Sequence, residues 1–226
     1  MLAAIVPVKP LRHAKGRMAE LLGPEDRARL ALVMLEDVLN ALRRSEVAEL
    51  TAVTTADPLV ARRARALGAE CWPDTAGTLN GALSDAIRTA IGRGASGVLI
   101  VPGDVPLVTP QDLRDLVSQA PRTPSLVVAP THDRGTGALL MQPAGLIAPA
   151  YGAISSARHV EAARAAGAET RLCQVRSLAL DLDHPHDLVL FSTLRQRTAT
   201  SEWLRRIDLK RLVPDRTGWF QALGQR

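Results

Sequence analysis

The feature that most constrains the fold is the alternation of short apolar runs with segments of helical periodicity. The apolar runs have the length of strands and lie at residues 2–8, 51–54, 69–72, 98–101, 126–129, 138–141 and 178–182. Helical patterns lie at 24–44, 58–67, 79–93, 110–118 and 155–166, and another begins at Pro185. This alternation predicts a mostly parallel sheet covered by helices on both faces. A chain of 226 residues with 46% hydrophobic content is long enough to form one α/β domain with a sizeable core.

Formal charge is concentrated at the C-terminal end of the chain. Eight of the 28 Lys and Arg residues but only three of the 23 Asp and Glu residues lie at 195–226, so this segment carries the whole net charge of +5. The body, residues 1–194, is neutral, and the entire chain has one tyrosine and two phenylalanines. Nucleic-acid-binding domains usually combine a basic surface with aromatic side chains that stack on bases. We therefore expect small-molecule substrates and no nucleic acid.

The apolar runs are too short to cross a bilayer, which takes roughly 18 or more consecutive apolar residues. The N-terminus begins with an apolar strand pattern, from Met1 to Pro7, and turns basic only afterwards. A secretory signal peptide has the opposite order. We expect no membrane association and a cytoplasmic location.

Asp104 follows the most apolar of the predicted strands, 98–101, across a Pro102-Gly103 turn. Ligands of open α/β sheets bind beyond the carboxyl ends of the strands, where a carboxylate is well placed to hold a hard cation. The alternative is structural, because the side chain of an aspartate in a turn often bonds to nearby backbone. For an isolated aspartate both interpretations stay open.

A second acidic motif is Asp181-Leu182-Asp183. Alternate residues of an extended segment point the same way, so the two carboxylates can converge on one ion such as Mg²⁺. Asp183 could instead cap the helix that begins at Pro185. Capping would account for Asp183 but not for Asp181, and the two roles can coexist.

A cluster of cations follows the first predicted strand directly. Lys9, Arg12, Lys15 and Arg17 lie within one short loop, and Lys and Arg supply charge-assisted hydrogen bonds to phosphate oxygens. Such charge runs are also common in solvated loops. The position of this loop at the mouth of the sheet favours phosphate binding.

Two glycine-rich turns carry hydroxyl groups, at 134–137 with Thr136 and at 151–156 with Gly152 and Ser155. Glycine lets backbone amides approach an anion, and hydroxyls add further donors. Ordinary turns have the same composition, and Ser155 could simply cap the helix that follows it.

Several motifs that would indicate other enzyme classes are missing. The sequence contains neither the phosphate-binding loop G-x-x-x-x-G-K-[ST] nor the G-x-S-x-G elbow, which disfavours ordinary P-loop ATPases and α/β-hydrolases. Residues 92–97 match the G-x-G-x-x-G motif of dinucleotide-binding proteins in sequence. They end a helix and precede a strand, however, and that motif needs the reverse order.

In their order along the chain, the motifs resemble the guanylyltransferases of coenzyme F-420 biosynthesis, which act on 2-phospho-L-lactate, phosphoenolpyruvate or 3-phospho-D-glycerate. The resemblance covers residues 4–192. It is carried by IVPVK at 5–9, AK at 14–15 with Arg17, MLEDVL at 34–39, TLN at 78–80, PGDVPL at 102–107, GTGALL at 135–140, YGAIS at 151–155, ARH at 157–159, LDLD at 180–183 and DL at 187–188.

The resemblance implies a Rossmann-like, three-layer nucleotidyltransferase fold of the nucleotide-diphospho-sugar transferase type. It also implies GTP as donor, Mg²⁺ as cofactor and pyrophosphate as the second product. By position, the implied catalytic residues are Lys15 and Asp104, the metal ligands Asp104, Asp181 and Asp183, the acceptor-binding residues Thr136, Gly152 and Ser155, and the nucleotide-binding residues Lys9, Lys15, Arg17 and Asn80.

This chain departs from the commoner family pattern at two places in the implied acceptor pocket. Gly137 stands where Asn or Thr is frequent, and Ala153-Ile154 where Pro and a polar residue are frequent. The identity of the acceptor therefore stays open. Other interpretations are a nucleotidyltransferase of the same fold that acts on a sugar phosphate or molybdopterin, and a non-catalytic nucleotide-binding protein.

We divide the chain into a nucleotidyltransferase domain at 1–198 and a basic, aromatic-containing extension at 199–226, which we predict to be helical. Trp203, Leu204, Ile207 and Arg211 have helical spacing, and the helix is expected to end near Pro214. Trp219 and Phe220 add aromatic surface to the extension. It either packs on its own domain or docks with the next enzyme of the pathway, and a homodimer is also compatible with the sequence.

Overall fold

A computed structural model describes residues 1–194 and 196–207. The strands are β1 Leu2–Pro7, β2 Leu50–Thr55, β3 Glu70–Pro73, β4 Gly97–Ile100, β5 Ser125–Pro130, β6 Thr136–Gln142 and β7 Glu169–Leu172. The helices are α1 Pro24–Ser45, α2 Pro58–Ala66, α3 Leu79–Gly92, α4 Pro110–Ser118, α5 Ser155–Ala165, α6 Pro185–Thr193 and α7 Ala199–Arg206. Short 3-10 helices lie at Leu11–His13, Gly16–Met18 and Arg176–Leu178.

The seven strands form one sheet in the order β3-β2-β1-β4-β6-β5-β7. Only β6 is antiparallel to its neighbours, β4 and β5. The other strands all run in one direction, so the carboxyl ends of β1, β2 and β4 meet at the same edge. That edge is where α/β sheets bind ligands.

Helices cover both faces of the sheet, and β1 shows how the strand pattern creates the two cores. Ala4 and Val6 are buried on the side of α1, α2 and α4. Ala3 and Ile5 are buried on the side of α3 and α5. Successive residues of a strand point to opposite faces, so a central strand needs apolar residues at every position. The predicted three-layer α/β fold is confirmed.

The helix boundaries follow from local signals. Asp57 caps α2 by accepting hydrogen bonds from the amides of Leu59 and Val60 at 2.9 and 3.3 Å, and Pro58 occupies the first turn. Gly68 follows α2 with a φ of +86°, a conformation that strongly favours glycine. These signals are local in sequence, which explains why the predicted helix ends lie close to the observed ones.

The predicted strand at 178–182 is wrong. Leu178 ends a 3-10 helix, Ala179 has helical backbone angles, and residues 180–183 form no strand. The apolar alternation there has another cause, since Leu180 and Leu182 pack into a third cluster with side chains of α1 and α6. The last strand of the sheet is instead β7, which is largely exposed and pairs with β5 alone. An edge strand of this kind lacks the apolar pattern by which the other strands are predicted.

The described part of the extension forms α7, which packs on α1. The carboxylate of Asp37 in α1 accepts hydrogen bonds from the backbone amides of Ala199 and Thr200 at 2.7 and 2.9 Å, and Leu204 is buried. Burial raises the pKa of Asp37 above its ordinary value, although these hydrogen bonds act to lower it. The division at 198/199 stays a prediction. Arg211, Pro214, Trp219 and Phe220 lie outside the described residues.

Among the described residues, no helix is both long and apolar enough to cross a membrane.

Candidate active site

A cleft of about 850 Å³ opens at the carboxyl ends of β1, β2 and β4. Lys9, Lys15 and Arg17 line it together with Asp104 and Asp183. The loop after β1 therefore faces the cleft, as the sequence predicted. Lys9 and Arg17 are exposed, whereas the Lys15 side chain is only 7% exposed. The buried cation is held in place, whereas the two exposed cations lie on the solvent side of the cleft.

Lys15 joins the two acidic motifs. Its Nζ donates to Asp104 Oδ2 at 2.8 Å and to Asp183 Oδ1 at 3.2 Å. Lys15 itself has left-handed backbone angles, φ 48° and ψ 42°, directly before the 3-10 helix Gly16–Met18. Such a conformation is uncommon for a residue other than glycine and persists only where surrounding contacts hold it. The two carboxylates supply such contacts.

Lys15 keeps its charge despite its burial. Burial lowers the pKa of a lysine, but the negative charges of Asp104 and Asp183 and their hydrogen bonds outweigh it, and the net result is a raised pKa. Lys15 is therefore a permanent cation at neutral pH.

Asp183 faces Lys15 and Arg17 and does not cap α6. Its Oδ2 accepts from Arg17 at 2.9 Å. The capping carboxylate is that of Asp187, which accepts from the amides of Asp183 and His184 at 2.9 and 2.6 Å. Burial acts to raise the pKa of Asp183, but Lys15 and Arg17 lower it below its ordinary value. The structural alternative for Asp183 is thus wrong, and its side chain belongs to the cleft.

The negative charge of Asp181 is only weakly balanced by nearby positive charge. Burial, followed by the negative charge of Asp104, raises its pKa to about 7, and Lys15 offsets this only partly. The Leu182 amide donates to the main-chain oxygen of Asp104 at 3.2 Å, which ties the two acidic motifs together. Close carboxylates repel one another unless a proton or a cation neutralises them.

Of the sequence-predicted metal ligands, Asp104 and Asp183 meet at the Lys15 ammonium, whereas Asp181 experiences the charge of Asp104 but does not line the cleft. In this arrangement the Lys15 ammonium lies between two of them, and no three His, Cys, Asp or Glu side chains of the described residues are grouped so as to enclose a metal ion. The oxygen donors and the electrostatic cost at Asp181 fit a hard divalent cation. A cation would relieve that cost.

Thr136 and Ser155 meet around a histidine that was not predicted as a site residue. Thr136 Oγ1 lies 2.9 Å from Ser155 Oγ and 3.1 Å from His159 Nδ1. His159 Nε2 accepts from the Ala150 amide at 2.9 Å. All three side chains are buried. The ARH motif at 157–159 was the only sequence signal that included His159.

Burial, together with the nearby charge of Arg158, lowers the pKa of His159 to about 4. The unfolded chain would take up this proton near pH 6.5, so folding stability is lost as the pH falls from 6.5 towards 4. We expect this histidine to contribute roughly 3 kcal/mol of that loss. Urea denaturation of the wild type and His159→Gln at pH 7 and pH 4 measures it as the smaller loss in the variant. Equal losses in both proteins would contradict the expectation.

Asn80 reaches the second glycine-rich turn. Its Nδ2 donates to the Tyr151 carbonyl at 3.1 Å, and its Oδ1 accepts from the Tyr151 amide at 2.8 Å. Asn80 therefore fixes the backbone next to Gly152, which is exposed and has a φ of +129°. Nucleotide binding by Asn80 stays a prediction, and both ends of its amide are engaged by this turn.

Gly137 has a structural reason to be glycine. A Cβ at this position of β6 would collide with the main-chain carbonyl of Leu178, at the end of the 3-10 helix Arg176–Leu178. In this chain, backbone fills the space that an Asn or Thr side chain would need. Glycine replaces Asn or Thr at position 137 because the backbone of Leu178, in the segment that leads to Asp181, lies too close for a side chain.

We expect Gly137→Ala to cost about 3 kcal/mol of folding stability, because the colliding atom is backbone and cannot rotate away. Gly92→Ala is the matched control, since nothing lies within 4 Å of a Cβ there, and we expect it to be neutral within about 0.5 kcal/mol. Chemical denaturation measures both. Equal stability of the two variants would show that the 179–183 segment shifts at no cost.

Solved structures establish the fold family of the chain. A protein assigned as a nucleotide-diphospho-sugar transferase from Desulfovibrio desulfuricans G20 superimposes with a TM-score of 0.76 at 18% identity, covering 94% of this chain and 96% of that one. A 4-diphosphocytidyl-2C-methyl-D-erythritol synthase has a TM-score of 0.60 at 17% identity over 84% and 95% of the two chains. At these identities the likeness shows the fold, which is that of the nucleotide-diphospho-sugar transferases.

The family model described as guanylyl transferase CofC like matches residues 2–218. Phosphoenolpyruvate guanylyltransferase of Rubrobacter xylanophilus is 40% identical over 82% of this chain and 90% of its own length. That of Conexibacter woesei is 39% identical over 82% and 84%. The chain therefore belongs to the CofC guanylyltransferase family, and it is a nucleotidyltransferase. The resemblance seen in the sequence is confirmed, and the match extends beyond residue 192.

Proposed function

We propose that this chain transfers GMP from GTP to the phosphate of phosphoenolpyruvate with the help of Mg²⁺, releasing pyrophosphate, as a cytoplasmic step of coenzyme F-420 biosynthesis. The observation that carries the choice of acceptor is that curated relatives at 33–40% identity are named phosphoenolpyruvate guanylyltransferase. 2-Phospho-L-lactate and 3-phospho-D-glycerate are the competing acceptors.

The reaction needs no side-chain nucleophile. An oxygen of the acceptor phosphate attacks the α-phosphorus of GTP, the bond from that phosphorus to the bridging oxygen breaks, and pyrophosphate leaves with the electron pair. The second pKa of a phosphate monoester is about 6, so the attacking oxygen is already largely ionised at neutral pH. The protein has to bring two anions together and neutralise the charge that builds up between them.

The buried ammonium of Lys15 is suited to the α-phosphate, because it is charged, is held by two carboxylates and lines the cleft. We assign it and Asp104 to catalysis. Lys9 and Arg17, which are exposed on the cleft wall, would follow the outer phosphates, and Asn80 belongs to the nucleotide side. Thr136, Gly152 and Ser155 would hold the phosphate and carboxylate of the acceptor.

Asp104, Asp181 and Asp183 would hold Mg²⁺. The support is that Lys15 bonds to both Asp104 and Asp183, and that the charge of Asp104 helps to raise the pKa of Asp181, a shift that a cation would reverse. Bound there, Mg²⁺ supplies charge neutralisation at the phosphates. Arg17, whose side chain is exposed, would then turn from Asp183 to the anionic substrate, while Lys15 stays in place.

Pyrophosphate release tests this proposal directly. The purified chain is incubated with Mg²⁺ and GTP, and phosphoenolpyruvate, 2-phospho-L-lactate and 3-phospho-D-glycerate are offered separately, with ATP, CTP and UTP as donor controls. We expect turnover with GTP and phosphoenolpyruvate. Turnover with another of the acids would replace the acceptor and keep the reaction. A folded protein that binds GTP but is silent with all three would point to a sugar phosphate or a pterin.

A further inference from the structure

His159 has no assigned role, yet it is the centre of a buried hydrogen-bond network beneath the proposed acceptor site. Its two ring nitrogens contact different structures, Nε2 the Ala150 amide and Nδ1 the Thr136 hydroxyl, and that hydroxyl contacts Ser155. The side chain is fully buried. His159, Thr136 and Ser155 are all buried and are not lining residues of the cleft, but Tyr151, which lines it, packs edge-on against the His159 ring. Any influence of His159 on an acceptor would pass through the Thr136 and Ser155 hydroxyls.

The direction of the first two hydrogen bonds follows from the atoms present. A backbone N–H can only donate, so the lone pair of Nε2 accepts from Ala150. A neutral imidazole whose Nε2 accepts must carry its proton on Nδ1, and that proton is donated to Thr136 Oγ1. Burial keeps the ring neutral, with a pKa near 4. The tautomer of His159 is thereby determined.

Counting protons then leaves one donor over. Nδ1, Thr136 and Ser155 bring three polar hydrogens, and the two contacts among them use two of these. Whichever way the Thr136–Ser155 bond runs, one hydroxyl keeps a hydrogen that is used by no other contact with the described residues. Ser155 is the first residue of α5, where helix amides and the helix dipole also favour an anion.

We propose that His159 is a positioning residue of the acceptor site: its Nδ1–H fixes the Thr136 and Ser155 hydroxyls so that one of them is left to donate to an anionic group of the acceptor. This inference rests on the proposed function. His159 does not touch the reacting atoms. It acts by holding the Thr136 hydroxyl in one orientation.

Two substitutions separate this role from a structural one. In His159→Asn the amide nitrogen takes the place of Nδ1 and can donate to Thr136, while the contact to Ala150 is lost. In His159→Gln the amide oxygen takes the place of Nε2 and can accept from Ala150, while the donor to Thr136 is lost. Both variants remove one of two buried contacts, so they are matched in the damage to the fold.

Kinetics and titration give the readout. We expect His159→Gln to raise the KM for phosphoenolpyruvate by about 30-fold, equivalent to the roughly 2 kcal/mol cost of a misdirected buried hydrogen bond, with the KM for GTP unchanged. His159→Asn should stay within about threefold of the wild type, on the premise that its donor is retained. Equal effects in the two variants, or a KM change for GTP alone, would overturn the inference.

A measurement without turnover keeps this test independent of the proposed function. Nitrogen-15 NMR of the wild type should show a neutral His159 ring protonated at Nδ1. Phosphoenolpyruvate or inorganic phosphate should shift the amides of Thr136, Gly152 and Ser155, and should bind about tenfold more weakly to His159→Gln than to His159→Asn, a difference of about 1.4 kcal/mol. An inactive but phosphate-binding wild type would refute the proposed acid and retain the role of His159. An Nε2-protonated ring, or the absence of amide shifts with both anions, would refute the role.

Discussion

Replacing Lys15 by alanine is expected to lower kcat/KM by about 10³, or roughly 4 kcal/mol of transition-state stabilisation. Lys15 is buried, permanently charged and positioned by two carboxylates, so its ammonium needs little reorganisation when charge builds up on the phosphates. Its loss also leaves Asp104 and Asp183 without their shared partner. Pyrophosphate release at saturating Mg²⁺ measures the effect.

Lys9→Ala is the matched control, because Lys9 lines the same cleft but is exposed. An exposed lysine is mobile and screened by solvent, and we expect its removal to cost less than about tenfold. A second readout is thermal stability without divalent cations. There Lys15→Ala should respond more strongly to added Mg²⁺ than the wild type, since the cation replaces the lost positive charge. Similar losses in the two lysine variants would mean that total charge, and not a fixed ammonium, governs transfer.

Asp104→Asn is expected to reduce transfer by at least about 10³ while the protein stays folded. The main-chain oxygen that bonds to the Leu182 amide is unaffected by the change, and Lys15 keeps Asp183 as a partner. The fold should therefore survive, and the loss should lie in metal binding and catalysis. Circular dichroism and pyrophosphate release on one preparation measure both.

The neighbouring carboxyl gives this variant a second signature. The charge of Asp104 is the second largest cause of the raised pKa of Asp181, after burial, so its neutralisation should bring the pKa of Asp181 down towards its ordinary value. Carbon-13 NMR of the carboxyl can follow this titration. Asp85→Asn is the control, because Asp85 pairs with Arg88 on the surface of α3, and it should behave like the wild type. A folded Asp104→Asn protein with full activity at saturating Mg²⁺ would refute the assignment.

The two predictions describe one electrostatic arrangement. Lys15 and Arg17 neutralise Asp183, and Lys15 also pairs with Asp104. The pKa of Asp181 is raised and that of Asp183 is lowered, so a proton binds to Asp181 more readily than to Asp183. Binding of Mg²⁺ with GTP would exchange the exposed Arg17–Asp183 pair for contacts to phosphate, while Lys15 stays in place.

Local patterns were sufficient for most of the fold. The apolar runs and helix caps that define β1, β4, α2 and α4 involve residues a few positions apart, and such signals are visible in any sequence. The prediction failed at the edge of the sheet and at 178–182. β7 is exposed and lacks the apolar pattern of a strand, whereas the alternation at 178–182 arises because Leu180 and Leu182 pack against helices.

An α/β nucleotidyltransferase with cations after β1, Asp104 after β4 and a later pair of aspartates can be predicted from the sequence. The contacts of Lys15 with partners 89 and 168 residues away, and the contact of His159 with Thr136, are visible in the folded structure alone. Sequence patterns have a short range. Periodicity and capping report on neighbours within a turn or two, whereas these contacts depend on the strand order and on the path of the 179–183 segment, which long-range packing sets.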